Sequence, residues 1–589
     1  YYIPRRLDEG YGLNKDVIER FAKNGGNLLI TVDCGITADE EIEFAKNLGL
    51  RVIVTDHHEC RNALPNADAV INPRRSDCNY PFKELAGVGV AFKFICACEM
   101  VLSKNCHTEA LKKILTNYAD MASIGTIADV MPISDENRLI VNKGLAEISD
   151  TKSIGLSALI DEAGIYAKSY KKKKISSTTI GFVLAPKINA AGRIGSSSSA
   201  VELFMTNSHE TAAKLAANLS RINKERQLLE NEILNQAIEK IEKEHDFENE
   251  KIIIISDNRW HHGVIGIVAS RITEKYNLPA ILISFKNEGH ENVENLGKGS
   301  GRSIHGLNIV KTLEKCSDIL LKYGGHELAA GLSIDRANFD EFKKRMNEYA
   351  KKAFENFDFT KSLEIDCEIS PDEISVETAN EVSLLEPFGL MNPVPLFCVK
   401  NMLVVSLTPI GDNKHTKITL KKNGKFYTAL FFGKPINDLP YIEGDLIDLV
   451  FNLDVNNFKN QQTIQMIVRD IALSKKTREK TEAEFSRYLQ IVDTLCPVYT
   501  YEIPTRDDFK AIYTLLKSSA CSTTSCSMDI DVFAFSKLAK NKFGIDISLS
   551  KALLIFDIFE ECEITKTLRR SGKTKKTVLT ETFISPTSA

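Results

Sequence analysis

At 589 residues, with 43% hydrophobic and 26% charged positions, the chain has the composition of an ordinary globular protein of several domains. It holds no stretch of about 20 uncharged apolar residues, which excludes a transmembrane helix, and its N-terminus, Tyr1-Tyr-Ile-Pro-Arg-Arg, lacks an apolar signal core. A net charge of −4 argues against a uniformly basic coat for nucleic acid but leaves room for a basic channel.

The 13 cysteines form no disulfide framework, so a reducing cytoplasm is the expected home. Neither Cys96/Cys98 nor Cys521/Cys526 has the second half that a zinc site needs. Without an initiator Met, the true start is expected to lie upstream of Tyr1.

The first elements alternate strand and helix. Asn27–Val32 reads as a strand, Thr37–Glu40 as a capping box opening a short helix, Arg51–Thr55 as a second strand and Ala67–Ile71 as a third. That order implies parallel βαβ units. From His209 to His245 no Gly or Pro interrupts a run rich in Ala, Leu, Glu and Lys, which predicts one long helix.

A second α/β unit follows, with strands at Lys251–Ser256 and Pro279–Ser284 around a helix over Gly263–Tyr276. It ends in two Gly-rich segments, Gly297–Gly306 and Gly324–Gly331. Beyond Asn356 short strands dominate. Asn423-Gly424 is a strong hairpin signal, and the spacing fits a small barrel such as an OB fold. Ser474–Glu484 reads as a linker, and the remainder mixes helices with a basic hairpin around Arg569–Lys576.

The predicted architecture is therefore α/β and multidomain. It has a parallel-sheet domain over 1–207, a connecting helix over 208–246 and an α/β domain over 247–355. A β-barrel of OB type over 356–475 and an α+β C-terminal extension over 476–589 complete it.

Chemistry concentrates at two strand ends. Asp33 follows the first strand directly, and Asp56-His57-His58-Glu59 follows the second. In a parallel sheet the ligand crevice lies beyond the carboxyl ends of the strands, so carboxylates should face imidazoles there. This donor set suits Mn²⁺, Mg²⁺, Zn²⁺ or Fe²⁺. Adjacent histidines in extended backbone point oppositely. One of His57 and His58 is then expected on the metal and the other on a substrate oxygen. Asp129, a single acid in an apolar run, is either a helix cap or a third ligand.

Val-Asp33-Cys-Gly, Thr-Asp56-His57-His58-Glu and Gly-Thr-Ile-Ala-Asp129-Val resemble successive metal-site motifs of the DHH phosphoesterases. Tyr2–Leu13, Leu85–Lys93 and Ile188–Ile194 resemble the RecJ branch of that family. Gly299–Ser303 and Gly324–His326 resemble its DHHA1 domain, and Leu385–Pro393 the start of its OB domain. The resemblance extends to about residue 475. It implies that 1–207 is a DHH domain, 247–355 a DHHA1 domain and 476–589 a RecJ-type extension.

The resemblance further implies a single-stranded-DNA-specific 5′→3′ exonuclease that acts in repair and recombination. Such an enzyme uses two Mn²⁺ or Mg²⁺ ions and releases nucleotide 5′-monophosphates. Asp33 would bridge the ions, His57 and Asp129 would ligate one, and His58 would contact the scissile phosphate. Asp56 would orient an imidazole. Arg6, Ser300 and Arg302 would hold a 5′-phosphate, with Arg193 a further phosphate ligand and His326 near the nucleotide.

The frame Gly297-Lys-Gly-Ser-Gly-Arg302 would let backbone N–H groups approach an anion. His261-His262-Gly263 opens a helix where an anion could also bind. Phe426, Tyr427, Phe431 and Phe432 beside Lys421, Lys422 and Lys425 suit single-stranded nucleic acid, although alternate aromatics on a strand are more often core.

Partners implied are single-stranded DNA, a helicase and a single-strand-binding protein, with a monomeric enzyme and no membrane. One departure stands out: the family's Asp-x-Asp motif is absent ahead of Asp33. The chain as written is therefore expected to bind metals poorly and to be nearly inactive. Rival readings are a DHH oligonucleotide or cyclic-dinucleotide phosphodiesterase, which usually ends after DHHA1, and a non-catalytic DNA-binding relative, which would not need Asp33, His57, His58 and Asp129.

Overall fold

The computed structural model describes the chain except residues 5–11, 62, 104–106, 166–173, 286–294, 356, 360–361, 459–460, 495–502, 521–527, 563, 572–573 and 580–589. The fold class is the α/β, multidomain one expected. The chain divides into two compact units, Tyr1–Thr360 with Glu386–Pro393, and Lys361–Leu385 with Val394–Ala589.

In the first unit, β1 (Leu28–Val32), β2 (Arg51–Thr55) and β3 (Ala69–Ile71) form a parallel sheet in that order. Val52 and Val54 of β2 are buried against Ile18, Ile42 and Ala45 from the flanking helices Lys15–Lys23 and Asp39–Asn47. The capping box expected at Thr37–Glu40 is not formed: Ala38 is the N-cap and makes no side-chain bond. Asp39, Glu40 and Glu41 instead place three acids at the positive end of the helix. Helices Gly87–Ser103 and His107–Ala128 approach so closely that a Cβ on Gly125 would fall 2.6 Å from Val88 Cγ1.

The connecting helix, His209–Glu244, is continuous over 36 residues, with Ser208 accepting the Thr211 N–H as its cap. It serves two cores. Ala212, Ala216 and Leu219 join Leu156 and Ala191, while Ile233, Ala237 and Ile241 join Val264 and Val268.

The second sheet has strands β4 (Ile253–Asp257), β5 (Ala280–Ser284), β6 (Leu296–Arg302), β7 (Leu320–His326) and β8 (Ala329–Asp335) in the order β4-β5-β6-β8-β7. Only β4 and β5 are parallel. This arrangement overturns the reading of Gly297–Arg302 as a frame of free N–H groups. The segment is β6, paired along its length with β5 on one side and β8 on the other. Its glycines clear space instead: a Cβ on Gly297, Gly299 or Gly301 would lie 2.5 Å from Phe285, 2.8 Å from Leu332 or 2.6 Å from Ile309.

The second unit holds β9 (Cys367–Glu368), β10 (Phe397–Ile410), β11 (His415–Lys422), β12 (Lys425–Phe431), β13 (Leu446–Phe458) and β14 (Gln461–Leu473). Strand β10 pairs with both β11 and β13, and β12 with β14, which closes a five-stranded barrel. The predicted hairpin is present. Lys422 pairs with Lys425 across Asn423 and Gly424, both at positive φ (49° and 77°), as a two-residue type I′ turn requires.

Ser474–Glu484 is not a linker but the cap and opening turns of a helix, Lys475–Thr494. Thr477 N–H bonds to the fully buried Ser474 Oγ at 3.3 Å, and a Lys/Glu/Arg run without Gly or Pro continues from there. Three helices follow, Arg506–Ala520, Val532–Phe543 and Leu549–Glu561, with strands β15 (Met528–Asp531), β16 (Thr565–Ser571) and β17 (Thr574–Leu579). Asp531 caps the helix that follows it through the N–H groups of Phe533 and Ala534. Among the described residues, no helix is long and apolar enough to cross a membrane.

Candidate metal centre

Strand β1 ends at Val32, and Asp33 turns into the left-handed region (φ 62°) while its N–H still bonds to Thr55 O at 2.9 Å. An Asp tolerates that conformation better than most residues. The turn lifts its carboxylate off the sheet edge towards the helix that starts at Gly87. A Cβ at Gly87 would sit 2.2 Å from Asp33 Oδ1, so only glycine leaves the carboxylate its place.

Strand β2 ends at Thr55. Asp56, 1% exposed, folds back under the loop it begins. Its Oδ1 accepts from the N–H of His57 (2.8 Å) and of His58 (3.2 Å) and lies 2.7 Å from His58 Nδ1, while Oδ2 accepts from Ile36 N–H (3.0 Å). Burial alone would raise this acid. The His58 ring and the three backbone donors outweigh it and hold the carboxyl below its usual range.

The same Asp56 bond raises the His58 pKa against burial. Because β2 has already ended, the two imidazoles do not point oppositely as expected for a strand. Their rings lie 4.6 Å apart at 58°, and His57, His58 and Asp33 all present ligand atoms within 4.8 Å of one another.

Asp129 is not an N-cap. It ends the helix His107–Ala128, where Met131 N–H bonds to Thr126 O and Val130 N–H to Ile127 O around a left-handed Val130 (φ 55°). This is a Schellman closure carried by a β-branched residue where glycine is usual, a strained arrangement of the kind found at functional sites.

His57 Nε2 lies between the two acids, 3.1 Å from Asp33 Oδ1 and 3.5 Å from Asp129 Oδ2. Burial pulls the His57 pKa down, but Asp33 and Asp129 prevail and raise it. Burial raises Asp129, with Asp33 adding to the shift and His57 opposing it. Burial pushes the neighbouring Cys34 thiol up to about 11, so it offers no thiolate.

Two half-exposed carboxylates converging on one buried imidazole form an incompletely neutralised site that a divalent cation would complete. The donors fit: Nε2 lies 3.1 and 3.5 Å from the two acids, an N,O set for a divalent ion between them.

A second cluster lies around the helix His262–Tyr276. His261 Nδ1 caps it by accepting Gly263 N–H at 3.1 Å. Arg193 Nη1 reaches Gly263 O at 3.4 Å, and a Cβ at Gly263 would fall 2.3 Å from Arg193 O. One turn on, a Cβ at Gly266 would meet Ser300 Oγ at 2.8 Å and Arg302 Nη2 at 3.5 Å. Arg193, Ser300 and Arg302 are thus gathered on one helical turn. His326 stands exposed at the end of β7. Arg6 lies outside the described residues.

Three supporting residues carried no expectation from the sequence. Gly87 sits inside the segment quoted for its resemblance, which was the available signal. Asn72, 3% exposed, donates to His58 O (2.9 Å) and accepts from Arg74 N–H (2.8 Å). Arg74 in turn pairs with Glu59 and Glu84.

Family models match in three places: the N-terminal domain of the DHH family over residues 1–126, the DHHA1 domain over 249–352 and the RecJ OB domain over 365–470. The single-stranded-DNA-specific exonuclease RecJ of Escherichia coli is 33% identical over 484 residues, covering 80% of this chain and 82% of that protein. The chain belongs to the RecJ family.

The Bacillus subtilis RecJ is 37% identical over 476 residues, and there the chain spans only 58% of the relative's length. In structure, RecJ from Thermus thermophilus in complex with Mn²⁺ matches with a TM-score of 0.64 at 30% identity, over 78% of this chain and 64% of that one. The Mg²⁺ complex matches with a TM-score of 0.58 at 27% identity, over 78% and 70%. The RecJ assignment thus rests on sequence and fold together.

Proposed function

We propose that this chain is a divalent-metal-dependent exonuclease that degrades single-stranded DNA 5′→3′ to nucleotide 5′-monophosphates. The observation that carries the reading is His57 Nε2 flanked by Asp33 and Asp129 at the carboxyl edge of a parallel sheet, in a RecJ-family chain. In this reading residues 1–207 hold the hydrolytic centre, 208–246 connect it to a substrate domain over 247–355, and 356–475 form the barrel. The segment 476–589 is an accessory domain.

Asp33, His57 and Asp129 would hold the Mn²⁺ or Mg²⁺ ions. When bound, such ions screen the phosphodiester and make hydroxide available near neutral pH. His58, held by Asp56, donates to a non-bridging phosphate oxygen. Arg6, Ser300 and Arg302 bind the 5′-phosphate, which sets polarity, Arg193 is a further phosphate ligand, and His326 contacts the nucleotide. A helicase and a single-strand-binding protein fit as suppliers of substrate to a monomeric, cytoplasmic enzyme.

The test follows a 5′-phosphorylated single strand in Mn²⁺. The chain is assayed beside its Asp33→Ala variant. The chain should release mononucleotides from the 5′ end, and Asp33→Ala none. Undiminished release by Asp33→Ala would remove the metal centre from the reading, and release from the 3′ end would refute the polarity.

A further inference from the structure

Phe182 is a large apolar side chain left in water near the metal centre, 81% exposed. Ser177–Thr179, Ile180–Leu184 and Ala185–Ile194 run on as a single helix that widens into a π turn over Ile180–Leu184. Pro186 accounts for the widening, since it has no N–H to return to the carbonyl of Phe182 four residues earlier. Ala185 N–H reaches back five residues instead, to Ile180 O. Such turns often mark functional sites.

The inner face of this helix buries Ile180, Leu184 and Ala191 in one core. At Gly181 it packs on the last turn of the helix that Asp129 ends: a Cβ there would stand 3.6 Å from Ile127 Cγ2. Its first turn is fixed as well, by Ser177 Oγ donating to Phe388 O at 2.6 Å. The same loop accepts Ile133 N–H at Leu390 O, 2.7 Å away. Three segments are thereby tied together, and each leaves a large apolar side chain exposed: Val130, Phe182 and Leu390.

Along the outer face Asn189 and Arg193 follow Phe182 at intervals of seven and four, about two turns and one. Asn189 is exposed, and Arg193 belongs to the cluster with Ser300 and Arg302. The face thus passes from an aromatic ring to an amide to a guanidinium within about 16 Å, at 1.5 Å per residue. A docked protein would call for an apolar face throughout. Aromatic rings beside a cationic track are what the bases and phosphates of a single strand require.

We infer that Phe182 is a platform on which a nucleobase of the single strand stacks, displaced along the helix from the phosphate at Arg193. The inference rests on the single-strand reading of the metal centre but not on cleavage, so the experiment uses the 589-residue chain in chelator. Oligothymidylate and an abasic strand of equal length are titrated against the parent, Phe182→Ala, Phe182→Tyr and Phe182→Trp. The chain has one native Trp, the fully buried Trp260, so Phe182→Trp adds an exposed indole that reports contact.

Phe182→Ala should bind oligothymidylate about 5- to 150-fold more weakly, the worth of one stacked base, and the abasic strand as the parent does. Phe182→Tyr should restore the affinity, and oligothymidylate but not the abasic strand should quench Phe182→Trp. Melting of Phe182→Ala should match the parent, because the ring it removes lies in water. Undiminished oligothymidylate binding by Phe182→Ala, or an equal loss on both strands, would overturn the platform while leaving the single-strand reading in place. A parent that binds neither strand would overturn that reading, and the platform with it.

Discussion

The two sheets of the first unit use the same kinds of residue to opposite ends. In β1–β3 the strands stop early, and the chain leaves the ladder at Asp33 and at Asp56 with polar side chains gathered above the edge. There a glycine, Gly87, makes room for the Asp33 carboxylate. In β4–β8 the Gly-rich strand stays in the ladder, its backbone groups are spent on neighbours, and its glycines make room for Phe285, Leu332 and Ile309. A glycine therefore signals chemistry only where the chain has left its hydrogen-bonded ladder.

The largest effect that would break this contrast is removal of the imidazole proposed as a ligand. His57→Ala should lower Mn²⁺ affinity, read by titration calorimetry, by more than the roughly 100-fold typical of losing an outer partner. A smaller loss would mean that the strand-end cluster is not the metal centre.

Gly87→Ala should follow, lowering Mn²⁺ affinity by about 10–100-fold because its Cβ takes the place of the Asp33 carboxylate. Its counterpart in the other sheet, Gly299→Ala, should cost about 1–3 kcal/mol of stability by overpacking Leu332 while leaving Mn²⁺ affinity unchanged. If the two glycine variants behave alike, the contrast between the sheets is wrong.

Smaller still, Val130→Gly relieves the left-handed valine behind Asp129. It should stabilise the protein by about 1 kcal/mol or less in denaturant melts, with metal affinity kept.

The last prediction concerns pH in the region of the second sheet. Burial holds the pKa of His245 below the ordinary value, outweighing Glu250, whose carboxylate lies 2.8 Å from Nδ1. The unfolded chain then binds the proton more readily than the folded one. The stability His245 contributes is whole above about pH 6.5, starts to fall as pH drops through that value, and is gone below the folded pKa. Denaturant midpoints should decline over that window, and less steeply in His245→Asn. An equal decline in both would assign the effect elsewhere.

Much of this was legible in the sequence. Asp33 and Asp56-His57-His58 could be placed at strand ends because a short apolar run followed at once by acid and imidazole fits a buried strand opening onto a polar site. Asn423-Gly424 announced its hairpin for a similar reason: two adjacent positive φ values restrict the residue types. Other features were hidden because they depend on what lies across space.

Gly297–Gly306 reads as a Gly-rich frame for an anion until β5 and β8 are known to flank its first half. Ser474–Glu484 reads as a linker because its polarity masks a high helix propensity. The shared side of His57 and His58 was missed because both lie beyond Thr55, where the strand ends, in a turn whose N–H groups Asp56 gathers, so the alternation of an extended backbone does not apply. Asn72 and Arg74, which hold the His58 loop from behind, bear no local signature at all.

The central claim is that Asp33, His57 and Asp129 hold a catalytic divalent ion, and manganese anomalous scattering from crystals grown with Mn²⁺ tests it most directly. A peak is expected within bonding distance of His57 Nε2 and of the Asp33 and Asp129 carboxylates. Peaks confined to other places, such as His261 and His262, with none at His57, would contradict it.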